Sequence, residues 1–230
     1  METYDQIFSA YYRMFRGESD VPDSTDEEYI LGLSLANNAL NWWANYDGTY
    51  WKELYTTAQA ASTGGVVTVT SGTSSYAAPT AMREPGGLVD VLNADGSIHT
   101  QFPIIEAQDK QFKNKEGTFA YFTGNPSQGF TLHLNPAPDS SLNGLGIDYV
   151  YYKKPTEYTT GSSESEISNP YFIVHNMLAQ RFQIERNYGG YQIAKRDSEE
   201  LLRNMQRDNN SGSWSSPWSM PDWSGTSWGI

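Results

Sequence analysis

The sequence contains no cysteine, so it can form neither a disulfide framework nor a thiolate metal site. It has three histidines, His99, His133 and His175, and they lie far apart without the spacing of metal ligands. Each is best interpreted as an ordinary hydrogen-bonded side chain. We therefore expect no metal and no cofactor.

Basic residues are also scarce. Lys and Arg total 15 against 27 Asp and Glu, which gives a net charge of -12 and a pI near 4.6. Attraction to phosphates requires a basic stripe, and the sequence has none. This excludes sequence-specific DNA or RNA binding as an expectation, although an acidic surface can lie beside DNA when its task is to avoid sticking to it.

Long apolar runs are missing too. No segment approaches the roughly 20 apolar residues of a membrane span, and Glu2 and Asp5 stand where an export signal would be basic. We expect a chain made in a cytoplasm, with no membrane association.

Motifs for catalysis are absent from the sequence: there is no nucleophile elbow, no phosphate-cradling glycine loop and no zinc motif. Asp90 and Glu106 could be imagined as the carboxylate pair of a glycosidase. Some such pair is always available among 27 acidic residues. The expectation is that the protein is not an enzyme.

Apolar spacing predicts two helices at the N-terminus. The first covers residues 4–15 and stops at Gly17. For the second, Thr25 and Glu28 match a capping box. This helix is expected to end near Leu54, with an interruption at Asp47-Gly48.

From residue 64 to about 158, alternating and β-branched residues predict strands. We expect a strand at 64–72, a hairpin over 87–102 with its turn at residues 94–96, a hairpin over 118–134, and a last strand at 146–155. Five to seven short strands with regular turns predict a small antiparallel β-sandwich or barrel.

Helices return after residue 160. Ser168 or Asn169 can cap a helix that has Pro170 at its first position, and this helix is apolar on almost every side, so it must be enclosed. Gly189-Gly190 is expected to break or bend it before a second helix over 191–208.

The predicted fold class is α+β, with a helical scaffold from both chain ends, an inserted β domain and an extended C-terminal tail. The predicted domains are residues 1–62 (N-terminal helices), 63–160 (β domain), 161–208 (C-terminal helices) and 209–230 (Trp-rich tail).

The last 20 residues, SGSWSSPWSMPDWSGTSWGI, hold four of the seven tryptophans in a setting of Ser, Gly and Pro. The tail could be a disordered end, could fold back on its own body, or could lie across a neighbouring subunit or partner. We favour the third alternative, because Trp is the commonest hot-spot residue and anchors spaced by four to five could fill successive pockets. The predicted partner-binding residues are Trp214, Trp218, Met220, Trp223, Trp228 and Ile230.

This plan resembles the head-to-tail adaptor (connector) proteins of tailed bacteriophages, particularly short-tailed ones. Two stretches carry the resemblance. GIDYVYYKKPTEYT is similar to the strand and exit that connectors place before their last helices, and NPYFIVHNMLAQRFQIERNYGGYQIAKRDSEELLRNM is similar to their helical return.

The resemblance implies a structural virion protein at the capsid–tail junction, assembled in the host cytoplasm. It would form a homo-oligomeric ring, commonly a dodecamer, under the portal protein, with its tail reaching the portal and its β domain facing tail nozzle or fibre proteins. Viral DNA would pass through the lumen without sequence-specific binding. In such a ring, the enclosed helix predicts subunit-packing roles for Phe172, Ile173, Met177 and Phe182.

Two other functions remain as alternatives. Many Tyr and Trp residues together with a β domain also suit a carbohydrate- or receptor-binding module of a tail or surface protein. An acid-dependent hydrolase would require two carboxylates facing each other across a deep cleft.

Overall fold

The computed structural model describes residues 2–18, 20–61, 67–106 and 117–211. The helices are α1 (Tyr4–Arg16), α2 (Glu27–Ala44), α3 (Ala58–Ala61), α4 (Tyr171–Ile184) and α5 (Tyr188–Ser211), and the strands are β1 (Tyr55–Thr57), β2 (Ser75–Ala77), β3 (Met82–Leu92), β4 (Ile98–Pro103), β5 (Phe119–Asn125), β6 (Gly129–Asn135) and β7 (Gly146–Lys153).

These residues divide into two compact units. The helical unit takes its described residues from 2–54 and 155–211, and the β unit takes its described residues from 55–154. Helices and antiparallel strands thus occupy separate parts of the chain, and the predicted α+β class is confirmed. The finer four-domain division stays a prediction.

Helix α1 forms where the periodicity predicts it. The backbone N–H of Thr3 donates to Gln6 Oε1 at 2.9 Å, which is half of a capping box at the helix start. Gly17 ends the helix in a left-handed conformation with φ 72°, as predicted. One face, carrying Ile7 and Phe8, is fully buried.

Helix α2 begins and ends differently from the prediction. Thr25 does not cap it, because both its backbone N–H and its hydroxyl donate to Asp23 Oδ1. The N-cap residue is Asp26. The helix stops after 18 residues at Ala44, so the end near Leu54 is wrong, and Asp47 lies at φ 47° in the expected interruption.

Helices α4 and α5 are separated by residues 185–187 and not by the glycine pair. Arg186 takes the positive φ of 59° that reverses the chain. Gly189 and Gly190 lie in the first turn of α5, so the predicted break at these residues is wrong. The helix continues to Ser211, past its predicted end at residue 208. All three other long helices pack against α4.

The β unit contains two antiparallel sheets, in the strand orders β1-β7-β3-β4 and β2-β6-β5. Both predicted hairpins are confirmed. In the first, β3 pairs with β4 around a turn in which Asn93 and Ser97 are hydrogen-bonded, and in the second β5 pairs with β6. The last strand, β7, pairs with β3.

One buried cluster receives side chains from both sheets. Val89, Val91 and Tyr149 come from the four-stranded sheet, and Phe122 and Leu132 from the three-stranded sheet. The rings of Phe122 and Tyr149 lie 5.2 Å apart, edge to face. This cluster forms the hydrophobic core of the β unit. Burial of its apolar surface stabilises the folded unit.

The predicted strand at 64–72 is wrong over its described residues. Within 67–72, Thr68 makes only an isolated bridge with Gly146. The short strands β1 and β2 were not predicted, since three residues are too few for an alternating pattern.

Candidate docking surfaces of the helical unit

All the predicted partner-binding anchors lie outside the described residues: Trp214, Trp218, Met220, Trp223, Trp228 and Ile230. The structure does describe the helix that leads into them, α5, as far as Ser211. The last described residue before the Trp-rich segment, which we define as residues 212–230, therefore belongs to the helical unit.

Two side-chain amides hydrogen-bond the C-terminal turns of α5 to residues 49–52. Asn209 Nδ2 donates to the carbonyl of Tyr50 at 2.8 Å, and Asn209 Oδ1 accepts from the N–H of Lys52 at 3.0 Å. One turn earlier, Gln206 Nε2 donates to Thr49 Oγ1 at 2.8 Å. These bonds hold the C-terminal end of α5 against the loop that follows α2.

The same loop is itself anchored by two stacked indoles. The rings of Trp43 and Trp51 lie 5.3 Å apart at 29°, and Trp51 Nε1 donates to the carbonyl of Trp43 at 2.7 Å. Both side chains are buried. Two of the seven tryptophans, one at the end of α2 and one in the loop to which the end of α5 is hydrogen-bonded, therefore pack against each other.

The four predicted subunit-packing residues on α4 differ in their surroundings. Phe172, Ile173 and Met177 are fully buried by the chain itself. The enclosure of these three side chains is therefore intramolecular, and their predicted subunit-packing role stays a prediction. Phe182 is half-buried beside Phe15, with ring centroids 5.9 Å apart, and it keeps area that a neighbouring subunit could contact.

An ionic network joins α4 to the first two helices. Arg181 donates to Glu28 Oε1 at 2.7 Å, Arg16 donates to the same oxygen at 3.3 Å, and Arg181 also reaches Glu185 at 3.2 Å. The guanidinium of Arg181 lies 5.0 Å from the ring centroid of Phe15. No sequence pattern predicts this network, because Glu28 and Arg181 are 153 residues apart.

The histidines behave as ordinary side chains where the structure gives them partners. His133 lies between Ser75 Oγ at 3.0 Å and Thr123 Oγ1 at 2.8 Å, and His99 Nδ1 lies 3.1 Å from Asn93 Oδ1. Within the described part of the chain, no group of three or more His, Asp or Glu side chains is arranged to hold a metal ion.

The carboxylates that the structure brings side by side are Asp90 and Asp148, not Asp90 and Glu106. Asp90 and Asp148 are register partners on β3 and β7. Amide groups occupy both carboxylates: Gln101 Nε2 donates to Asp90 at 2.9 Å, and the N–H of Gln59 donates to Asp148 at 3.1 Å. Both carboxylates therefore accept hydrogen bonds on the face of a sheet. The two carboxylates of a glycosidase would instead face each other across a cleft.

Several aromatic side chains of the β unit are buried in its core. Tyr76, Phe102, Phe122, Tyr149 and Tyr151 are buried and belong to its core cluster. Stacking platforms for sugars would need open ring faces, and these rings are covered. The sequence expectation of a carbohydrate-binding β domain therefore gains no support from them.

None of the described helices combines the length and apolar character needed to cross a membrane. A search of the curated proteins found no match to the chain. The model of the SU10 adaptor protein family matches residues 7–221, which is most of the chain, and the chain therefore belongs to this family of phage adaptor proteins.

Proposed function

We propose that this adaptor protein forms a homo-oligomeric ring under the portal protein at the capsid–tail junction. In this proposal the Trp-rich segment docks on the portal, the opposite end of the ring meets tail nozzle or fibre proteins, and DNA passes through the lumen. The role is structural, without catalysis.

The observation that carries the proposal is the family match, which supports an adaptor role for the chain as a whole. The match continues to residue 221, so Trp214, Trp218 and Met220 lie inside the matched span. The first half of the segment proposed to dock, residues 212–221, is thus part of what relates this chain to the family.

The fastened end of α5 supports the docking role physically. A segment that orders on binding loses conformational entropy at that moment, and a fixed origin limits the volume that its first residues can sample. Asn209 and Gln206 supply that fixed origin through their bonds to residues 49–52. In a ring, many such segments would bind at once, which multiplies a modest single affinity.

The charge of the chain supports the passage of DNA without adhesion. Six acidic residues and no basic residue fall within 18–28, and the whole chain carries -12. Phosphates gain no counterion release from such a surface.

Deletion of residues 211–230 tests the docking role. Mixed with the purified portal ring of the same phage, the full chain should co-sediment with it and the truncated chain should not. The melting temperature of the helical unit should stay within a few degrees, because the buried core residues that the structure describes in this unit run from Tyr4 to Met205.

A sharper version replaces only side chains. Changing the four tryptophans Trp214, Trp218, Trp223 and Trp228 to Ala should abolish co-sedimentation, since hot-spot tryptophans contribute about 2–4 kcal/mol each. The matched control changes four serines of the same segment, Ser213, Ser215, Ser219 and Ser224, to Ala and should bind normally. Normal binding by the tryptophan variant would refute the docking role.

A further inference from the structure

The outward face of α5 carries a row of three arginines. Arg196, Arg203 and Arg207 are separated by seven and four residues, so at 100° per residue they lie in line on one side of the helix. Their side chains are 73%, 69% and 75% exposed. The opposite side of the helix, with Leu202 and Met205, is buried. We call these three residues the arginine row.

The ion pairs that these arginines make within α5 are weak. Arg196 donates to Asp197 Oδ1 at 3.0 Å, Arg203 lies 3.7 Å from Glu199, and Arg207 lies 4.0 Å from Asp208, all at the exposed surface. Exposed pairs of this kind contribute only about 0–1 kcal/mol. A better-shaped carboxylate site can therefore compete for the same guanidinium groups.

Such a site exists elsewhere in the helical unit. A cavity of about 470 Å³ opens between α1, the loop before α2 and residues 160–162, and its lining includes the acidic residues Asp5 and Asp23 and the apolar residues Phe8, Val21 and Pro22. We call it the acidic cavity. A planar guanidinium prefers this combination of a carboxylate with an apolar or aromatic wall.

The carboxylate of Asp5 is held in a fixed position at the edge of the acidic cavity. The hydroxyl of Tyr29 donates to Asp5 Oδ1 at 2.7 Å. Around the opening, Glu18, Asp20 and Asp26 are exposed. The surroundings are therefore acidic and contain no competing cation within residues 18–28.

These two surfaces are formed by different elements of the helical unit. Helix α4 packs against α1 and α2 and also against α5. The side of α5 opposite the arginine row is buried, while the acidic cavity is lined by residues of α1, of the loop before α2 and of α2, and by residues 160–162. Complementary patches on different sides of a subunit make a head-to-tail contact that can repeat and close into a ring, unlike a two-fold contact.

We propose that the arginine row of one copy docks on the acidic cavity of the next copy, and that this contact joins neighbouring subunits of the ring. The inference rests on the proposed ring and names its interface. The occupant is a second copy of this chain, because each copy carries both complementary surfaces.

The absence of cysteine allows a direct test by cross-linking. Ser24 lines the acidic cavity, and Glu200 lies on the exposed face of α5 beside the arginine row. The double variant Ser24→Cys/Glu200→Cys, assembled on the portal ring and treated with a short bismaleimide, should give a ladder of covalent oligomers.

The single variants are the controls, and Ser24→Cys alone or Glu200→Cys alone should give no ladder. Strong dimer formation by either single variant would indicate a two-fold contact and overturn the proposal. If the unmodified chain assembles on the portal but the double variant gives no ladder, the interface is wrong and the adaptor ring stands. If the unmodified chain does not assemble at all, both proposals fail.

Charge reversal provides a second readout. Introducing Arg203→Glu and Arg207→Glu into the double-cysteine variant should lower the ladder yield on the order of tenfold, as for desolvated charge pairs at interfaces. Lys195→Glu makes the same kind of change on α5 about 100° away from the row and should leave the yield unchanged. Combining the reversed row with Glu18→Lys and Asp20→Lys should restore most of the ladder. The inference would be overturned if Lys195→Glu lowered the ladder yield as much as reversal of the arginine row does. It would also be overturned if Glu18→Lys and Asp20→Lys did not restore the ladder yield.

Discussion

Gly189 and Gly190 are neighbours in the first turn of α5, but only one of them has room for a side chain. A Cβ atom on Gly190 would lie 2.9 Å from Cδ2 of Phe182 and 3.0 Å from Nδ2 of Asn187. On Gly189 the nearest atom would be Asn187 Oδ1 at 3.9 Å. The glycine at 190 therefore permits the close approach of α5 to the end of α4.

The two glycines should respond oppositely to the same substitution. Gly190→Ala should lower the free energy of unfolding by about 1–3 kcal/mol, because Phe182 must shift to admit the methyl group. Gly189→Ala should raise it by up to about 1 kcal/mol, because Ala is the better helix former. Urea denaturation of both variants measures the difference, and equal effects would contradict the described packing of Phe182.

Buried tyrosines make the helical unit sensitive to alkaline pH. Burial raises the pKa of Tyr4 and of Tyr11 above the usual range, and it raises the pKa of Tyr158 to about 12 despite a hydrogen bond to Ser165. In the unfolded chain these hydroxyls lose their protons near pH 10. The stabilisation is therefore complete below about pH 10 and is lost as the pH rises toward the folded-state values.

We expect the free energy of unfolding to fall between about pH 10 and 12, by up to about 1.4 kcal/mol per pH unit for each such tyrosine. Tyr11→Phe should make this decline shallower. Tyr188→Phe should not, because Tyr188 is 73% exposed. Denaturant titrations at several pH values provide the measurement, and a decline that is unchanged in Tyr11→Phe would contradict the assignment.

At the scale of elements, helix α5 depends on contacts distant in sequence at its C-terminal end. Its last turns carry Asn209 and Asn210, yet only Asn209 is bonded to the loop at residues 50–52. Asn210 is exposed. Substituting each of these two neighbouring asparagines therefore distinguishes the effect of helix propensity from the effect of the hydrogen bonds to the loop.

Asn209→Ala should destabilise the end of α5 by about 1–3 kcal/mol, the cost of losing two hydrogen bonds and leaving backbone groups unpaired. Hydrogen exchange should accelerate over residues 203–211 and stay unchanged in α4. Asn210→Ala should leave the exchange of both helices unaltered. If hydrogen exchange over residues 203–211 is the same in Asn209→Ala as in the parent chain, these hydrogen bonds do not stabilise the end of α5.

The helices and hairpins with long, regular patterns were predictable element by element. Gly17 ended α1 as expected, and the Asp95-Gly96 turn joined β3 to β4. Predictions of helix boundaries were wrong where a side chain bonds a partner distant in sequence and not a local one. Glu28 could have closed a capping box, but it binds Arg16 and Arg181 instead.

At the scale of the whole molecule, the β unit has adjacent entry and exit strands. Tyr55 on β1 and Tyr152 on β7 are register partners, so their Cα atoms lie only about 5 Å apart. A chain that enters and leaves an inserted unit at neighbouring positions can be rejoined by a short connection.

Removing residues 55–154 and joining Leu54 to Pro155 by a short Gly-Ser linker should leave a helical unit that folds cooperatively. The control deletion, residues 63–160, follows the boundaries predicted from sequence and also removes Tyr158. It should fold poorly, because Asn37 bonds both the N–H and the carbonyl of Tyr158, whose ring packs 5.6 Å from that of Tyr4. Thermal unfolding followed by circular dichroism distinguishes the two, and a cooperative transition in the control alone would contradict the division into units.

The sequence by itself determined the class of the fold, the helical return after the strands and the segment that carries four tryptophans. These features are local, since periodicity, turn residues and composition act over a few neighbouring positions. Tertiary structure alone decided that Phe172, Ile173 and Met177 face their own chain, and that Asn209 is fastened to Tyr50 across 159 residues. It also decided that residues of α1 and of the loop before α2, together with residues 160–162, line the acidic cavity. Such pairings depend on how helices stack around α4, and no local pattern encodes the partner of a side chain more than a hundred residues away.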